Sequence, residues 1–126
     1  MLSRTGLLIA LVLVAMLVAG CGGVKAKYEN TASVISAAEK HKIDSCRGGY
    51  FQIVGANDLV ACDFNDSSHI EIYTFDGDAK ISCAKNHMCE QMFIDPLSVR
   101  FTNNAMIWLP EQPESVRDAL IADIED

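Results

Sequence analysis

Ile70-Glu71-Ile72-Tyr73-Thr74-Phe75-Asp76-Gly77-Asp78 is the stretch on which the fold turns. Isoleucines two residues apart read as one face of a strand, and Asp-Gly between alternating runs favours a type I′ hairpin. In that register Ile72 faces Ile81 and Ile70 faces Cys83, so one buried face would collect isoleucines and a cysteine. Working outward, further short apolar runs stand at Tyr50 to Val54, Leu59 to Phe64, His69 to Phe75, Ala79 to Cys83, Glu90 to Ile94, Ser98 to Phe101 and Ala105 to Trp108. Asn57-Asp58, Asn65-Asp66-Ser67-Ser68 and Asn103-Asn104 supply turns, since Asn and Asp tolerate left-handed backbone angles. Short strands with tight connections imply an antiparallel meander.

Helices are expected at both ends. From Tyr28 to Lys42, the spacing of Ala32, Ile35, Ala38 and Glu39 is helical, with Thr31, Ser33, Lys40 and Lys42 on the wet side. Asp44-Ser45-Cys46-Arg47-Gly48-Gly49 then reads as a turn, its paired glycines ending the periodicity. Pro113 suits the first turn of a last helix running through Ile124, on which Val116, Leu120 and Ile124 form one apolar stripe. Asp123, Glu125 and Asp126 crowd the negative end of that helix, so its last turn is expected to fray. The fold class expected is therefore α+β: a small antiparallel β-meander with an N-terminal and a C-terminal helix, stabilised by disulfides.

The chain opens with Arg4, an uncharged apolar run from Leu7 to Ala19, and then Leu17-Val18-Ala19-Gly20-Cys21. A basic flank, a greasy segment and small residues before a cut site are the layout of a secretory signal peptide. The Val-Ala-Gly-Cys ending resembles the lipobox of bacterial lipoproteins, cut just before a cysteine that carries diacylglycerol. That resemblance covers residues 1–21 only and implies that Cys21 is the lipidated first residue of the mature chain. An uncleaved anchor is the rival, because Gly6 to Val24 approaches the 20 or so residues that cross a bilayer. Its strictly apolar part is shorter, and Gly20, Gly22 and Gly23 each weaken a helix by about 1 kcal/mol. Gly22 lacks the aspartate that tends to hold enteric-type lipoproteins in the inner membrane, so the resemblance implies an outer-membrane anchor facing the periplasm. In a Gram-positive source it would place the domain outside the plasma membrane.

This divides the chain into a signal peptide at 1–20, a short tether at 21–27 and a single domain at 28–126. The net charge of −7 becomes −8 once Arg4 leaves with the leader. An acidic surface repels phosphate backbones, which argues against nucleic acid as a partner. Beyond Cys21 stand Cys46, Cys62, Cys83 and Cys89, an even number in an oxidising compartment, and two disulfides are the natural reading. Three pairings are open, and short spacing favours Cys83 with Cys89 and Cys46 with Cys62.

Catalytic patterns are scarce. Cys83, His87 and Cys89 make Cys-x3-His-x-Cys, unlike the paired knuckles of structural zinc sites, and no Cys-x-x-Cys redox pair exists. No Gly-x-Ser-x-Gly elbow accompanies His41, His69 and His87, and no glycine loop suits a phosphate. His69, beside Ser68 and Asp66, reads as an exposed turn residue and His87 as the exposed tip of a disulfide-closed loop. Neither a cofactor nor a metal is expected. Trp108, at a strand end before Leu109-Pro110, is the residue placed to touch a partner. The sequence points to a non-enzymatic envelope interaction module, held to the lipid bilayer by Cys21 and acting on an envelope protein as assembly accessory, stress sensor or exclusion factor. The alternative is a small enzyme or inhibitor acting on cell-wall substrates through Glu71, His69 and His87.

Overall fold

Two hairpins closed by asparagine build the sheet of the computed structural model, which describes residues 25–49, 52–93 and 95–126. Strand β2 (Asp58–Phe64) returns as β3 (Ser68–Thr74) through Asn65 and Asp66, whose φ angles of 50° and 63° are the left-handed values these residues tolerate. Strand β4 (Val99–Thr102) returns as β5 (Ala105–Trp108) through Asn103, at φ 48°. With β1 (Ile43–Gly48) they form a five-stranded antiparallel sheet in the order β1-β2-β3-β5-β4. Helix α1 (Thr31–Ala37) precedes the sheet and α4 (Glu114–Glu125) follows it. Two short helices, α2 (Ala79–Lys85) and α3 (His87–Met92), carry the chain from β3 to the far edge. The fold is α+β, as the sequence indicates. The expected leader, Cys21, Tyr50, Phe51 and Ile94 lie outside the described residues, and no helix among those described is long and apolar enough to cross a membrane.

The Asp76-Gly77 hairpin does not form. Both sides of β3 are already occupied, Ile72 standing opposite Val60 of β2 and Ile107 of β5, and Ile70 opposite Cys62. Gly77 lacks the positive φ that a type I′ turn requires. Instead the Asp78 carboxylate accepts the Ile81 amide as an N-cap, and Ala79 to Lys85 is helix, not strand. The expected strand at Glu90 is helix for the same reason: Asn86 accepts the Cys89 amide and opens α3. Residues Gln52–Val54 form a 3-10 turn in place of a strand. Conversely, residues 43–48, read as helix end and turn, are strand β1, irregular at Ser45 (φ 53°) where its register against β2 shifts.

Two cores flank the sheet. On one face Ile70, Ile72, Phe64 and Ile107 meet Val34 of α1, its capping Ala38, and Leu120 and Ile124 of α4, the last two belonging to the expected apolar stripe. On the other, Leu59, Tyr73, Val99 and Met106 meet Ala79, Cys83 and Cys89. Thr31, expected to be wet, is buried and donates its amide and hydroxyl to Asp58 at 3.0 and 2.8 Å. The last turn of α4 holds through Glu125 instead of fraying. His41 stacks on Phe64 and meets the Asp123 carboxylate at 2.6 Å, with Lys40 at 3.8 Å, so a hydrogen bond and a cation offset the acidic end. Arg117, buried on α4, donates to the carbonyls of Leu97, Leu109 and Pro110 and ties the helix to the ends of β4 and β5.

The segment entering the domain is held by one buried side chain. Asn104 donates to the carbonyls of Tyr28 (2.7 Å) and Phe75 (3.1 Å) and accepts the Tyr28 amide at 2.9 Å. Asn103 accepts the amide of Lys27 on its side chain and that of Ala79 on its carbonyl. The incoming chain and the start of α2 therefore meet at the β4–β5 turn.

Candidate functional site

Helices α2 and α3 are too short to roof the whole sheet face above them. They cover the end carrying Tyr73, Leu59 and Met106. The other end carries a row across all five strands, in which Arg47 of β1 stands opposite Ala61, Ala61 opposite Glu71, Glu71 opposite Trp108 and Trp108 opposite Val99. Asp63 and His69 form a second pair beside it. Arg47 and Asp63 are exposed, and Ala61, His69, Glu71 and Trp108 are part-exposed. This half-open face, bearing Trp108, is the candidate site.

Its geometry follows from the two-residue strand period, which sends His69, Glu71 and Tyr73 to one side of β3. The Glu71 carboxylate accepts from the Tyr73 hydroxyl at 2.9 Å and meets His69 Nε2 at 3.2 Å. An ionised carboxylate only accepts, so in this contact His69 Nε2 is the donor. Burial first, and then the Glu71 charge and hydrogen bond, push the Tyr73 phenol well above its usual pKa, so it stays a protonated donor. Rings continue the chain of contacts: His69 meets Trp108 edge-on at 5.8 Å, Trp108 meets Phe93 at 6.2 Å and Phe93 meets Tyr73 at 5.4 Å. These contacts fix the indole from two sides, a pre-ordered anchor that loses little rotamer freedom on binding.

The sheet edges are less suited to recognition. On β4, Arg100 donates to the carbonyls of Leu97 and Val99 and pairs with Asp118 and Glu114. Its guanidinium thus covers an edge carbonyl that an added strand would need. The irregularity at Ser45 interrupts β1 in the same sense. Between α2–α3 and β4 lies an open groove of about 670 Å³, lined by Phe93, Val99, Phe101 and the cysteines of α2 and α3.

The sequence-expected residues are placed as follows. Cys46 is bonded to Cys62 and Cys83 to Cys89, the pairing that short spacing favours. His69 is a strand residue bonded to Glu71 and not a turn residue, whereas His87 is exposed at the start of α3 instead of at a loop tip. Glu71 and His69 come together; His87 belongs to a different layer. Tyr73 was not legible as part of a site, although the i, i+2, i+4 spacing of His69, Glu71 and Tyr73 carries the signal. Among the described residues no group of three His, Cys, Asp or Glu side chains could hold a metal ion.

Fold and site together define a small disulfide-bonded α+β domain with a half-open aromatic sheet face. No protein-family model, curated protein or solved structure matches the chain.

Proposed function

We propose that this chain is a membrane-anchored bacterial lipoprotein, acylated at Cys21, that works as a non-enzymatic interaction module of the cell envelope. It faces the periplasm from the outer membrane, and its half-open sheet face binds an envelope protein. The observation that carries the reading is Trp108, part-exposed, held between the rings of His69 and Phe93 and standing opposite Glu71 on the half-open sheet face. Tryptophan is among the residues most enriched at interface hot spots, where truncation costs about 2 kcal/mol or more, roughly a thirtyfold loss of affinity. Chemical cross-linking in whole cells followed by capture of the full-length protein tests it. A discrete envelope protein recovered with the native chain and lost with Trp108→Ala supports the reading. Recovery that Trp108→Ala leaves unchanged, or no partner in repeated captures, overturns it.

The His69–Glu71 contact favours a second reading, a small enzyme or inhibitor acting on cell-wall material. There Glu71→Gln would abolish turnover or inhibition of the wall substrate. Under the interaction reading it only weakens binding.

A further inference from the structure

Four of the five largest exposed apolar side chains among the described residues lie in the layer of α2, α3 and the 3-10 turn beside them: Ile53, Ile81, Met88 and Met92, each 46–55 % exposed. The helical pattern explains why they point outward. On α2, Ala79 and Cys83 face the sheet, so Ile81, half a turn away, faces out. On α3, Cys89 faces in, and Met88 and Met92, four residues apart, share one outer flank. The 3-10 turn that bears Ile53 packs on α3, and the Cys83–Cys89 disulfide fixes the two helices together. Core packing therefore leaves these apolar groups unused, on a rigid support.

Where the chain enters decides what covers them. Lys27 is pinned to Asn103, the residue that also receives the amide of Ala79 at the start of α2. Only six residue steps separate Lys27 from Cys21, a reach of about 20 Å at full extension. An acyl anchor on Cys21 thus keeps the start of α2 within about 20 Å of the lipidated end of the chain, on the bilayer side of the domain. Charge separates this face from its rival. Helix α4 and the residue after it carry Glu114, Asp118, Asp123, Glu125 and Asp126 against the buried Arg117, and an anionic bilayer repels them. In α2 and α3, Lys80 and Lys85 balance Glu90 and the capping Asp78.

We propose that the α2–α3 face rests on the surface of the bilayer that holds Cys21, with Ile53, Ile81, Met88 and Met92 seated at the headgroup boundary. The proposal builds on the reading of Cys21 as the acylated residue. Methionine and isoleucine suit this environment, being apolar and, in the case of methionine, adaptable in shape. Seated this way, the domain has a fixed orientation instead of swinging on a loose tether.

The test uses the full-length protein purified from membranes, in a Trp108→Phe background, carrying a single tryptophan at Met92→Trp on α3 or at Ala122→Trp on the exposed side of α4. Each is reconstituted into phosphatidylethanolamine–phosphatidylglycerol vesicles with brominated acyl chains, and its intact mass is recorded. The expected result is an acylated mass, loss of at least half the fluorescence at Met92→Trp and little loss at Ala122→Trp. An acylated protein with Met92→Trp unquenched, or with both positions quenched alike, overturns the seating while leaving the anchor standing. A mass without acyl chains overturns anchor and seating together.

Discussion

Replacing Asn104 with alanine should release the N-terminal segment and cost the domain about 3 kcal/mol. The side chain is 1 % exposed and makes three hydrogen bonds, two to the amide and carbonyl of Tyr28 and one to the carbonyl of Phe75. Its backbone φ is not positive, so alanine adds no strain and the effect isolates the side chain. A buried polar group left unpaired costs about 1–3 kcal/mol. Three buried groups lose their partner, and release of the segment lets water reach those of Tyr28, which holds the total near about 3 kcal/mol instead of three full penalties. In a domain of this size about 1 kcal/mol shifts the midpoint of thermal unfolding by about 4–8 °C, so a fall of roughly 12–24 °C is expected. Urea unfolding at neutral pH measures the free energy, and hydrogen exchange at the Tyr28 amide reports whether the segment lets go. A loss under about 1 kcal/mol with Tyr28 still protected would refute the assignment of Asn104 as the clamp.

Three further outcomes are expected. The Cys46–Cys62 bridge closes a separation of 16 residues and Cys83–Cys89 one of 6; loop entropy makes paired serine substitutions cost about 3 and about 2 kcal/mol respectively, read from urea midpoints, with the first pair the more damaging. Thr74→Val should leave stability unchanged or raise it by up to about 1 kcal/mol, because the buried Thr74 hydroxyl has no hydrogen-bond partner among the described residues; a clear loss in the same assay would show that the hydroxyl is paired. Tyr73, a phenol whose folded pKa is raised, keeps its proton in the folded state after the unfolded chain has lost it. Its contribution is therefore complete below the unfolded value near pH 10 and falls away as the pH rises beyond it. The native protein should lose stability between pH 9 and 11 more steeply than Tyr73→Phe, and parallel curves would contradict this.

The fold was legible where a residue type has one physical use. Asn65, Asp66 and Asn103 mark turns that only residues tolerant of positive φ make cheaply, and Val116, Leu120 and Ile124 mark the inner stripe of α4. The reading failed between Phe75 and Ile94, where short runs such as Ile81-Ser82-Cys83 suit strand or helix equally. There the decision lay with two caps, Asp78 and Asn86, each three residues before the amide it accepts. Strand β1 was hidden because its outward residues are polar and it gains its place from neighbours, through Cys46–Cys62 and the Lys42–Asn65 contacts. Of the site, Trp108 was visible from its position before Leu109-Pro110. The convergence of His69, Glu71, Tyr73 and Phe93 was not, because it depends on β3 sitting in the middle of the sheet and on where α3 ends.

The proposed anchor, orientation and partner capture all rest on Cys21, so the most direct measurement is the intact mass of the protein from the membrane fraction of its native host, alongside Cys21→Ser. The expected result is a chain beginning at Cys21 with acyl chains attached, a gain of four hydrogens on reduction, and loss of the acylated species in the variant. An uncleaved or unacylated chain in the membrane fraction would contradict it.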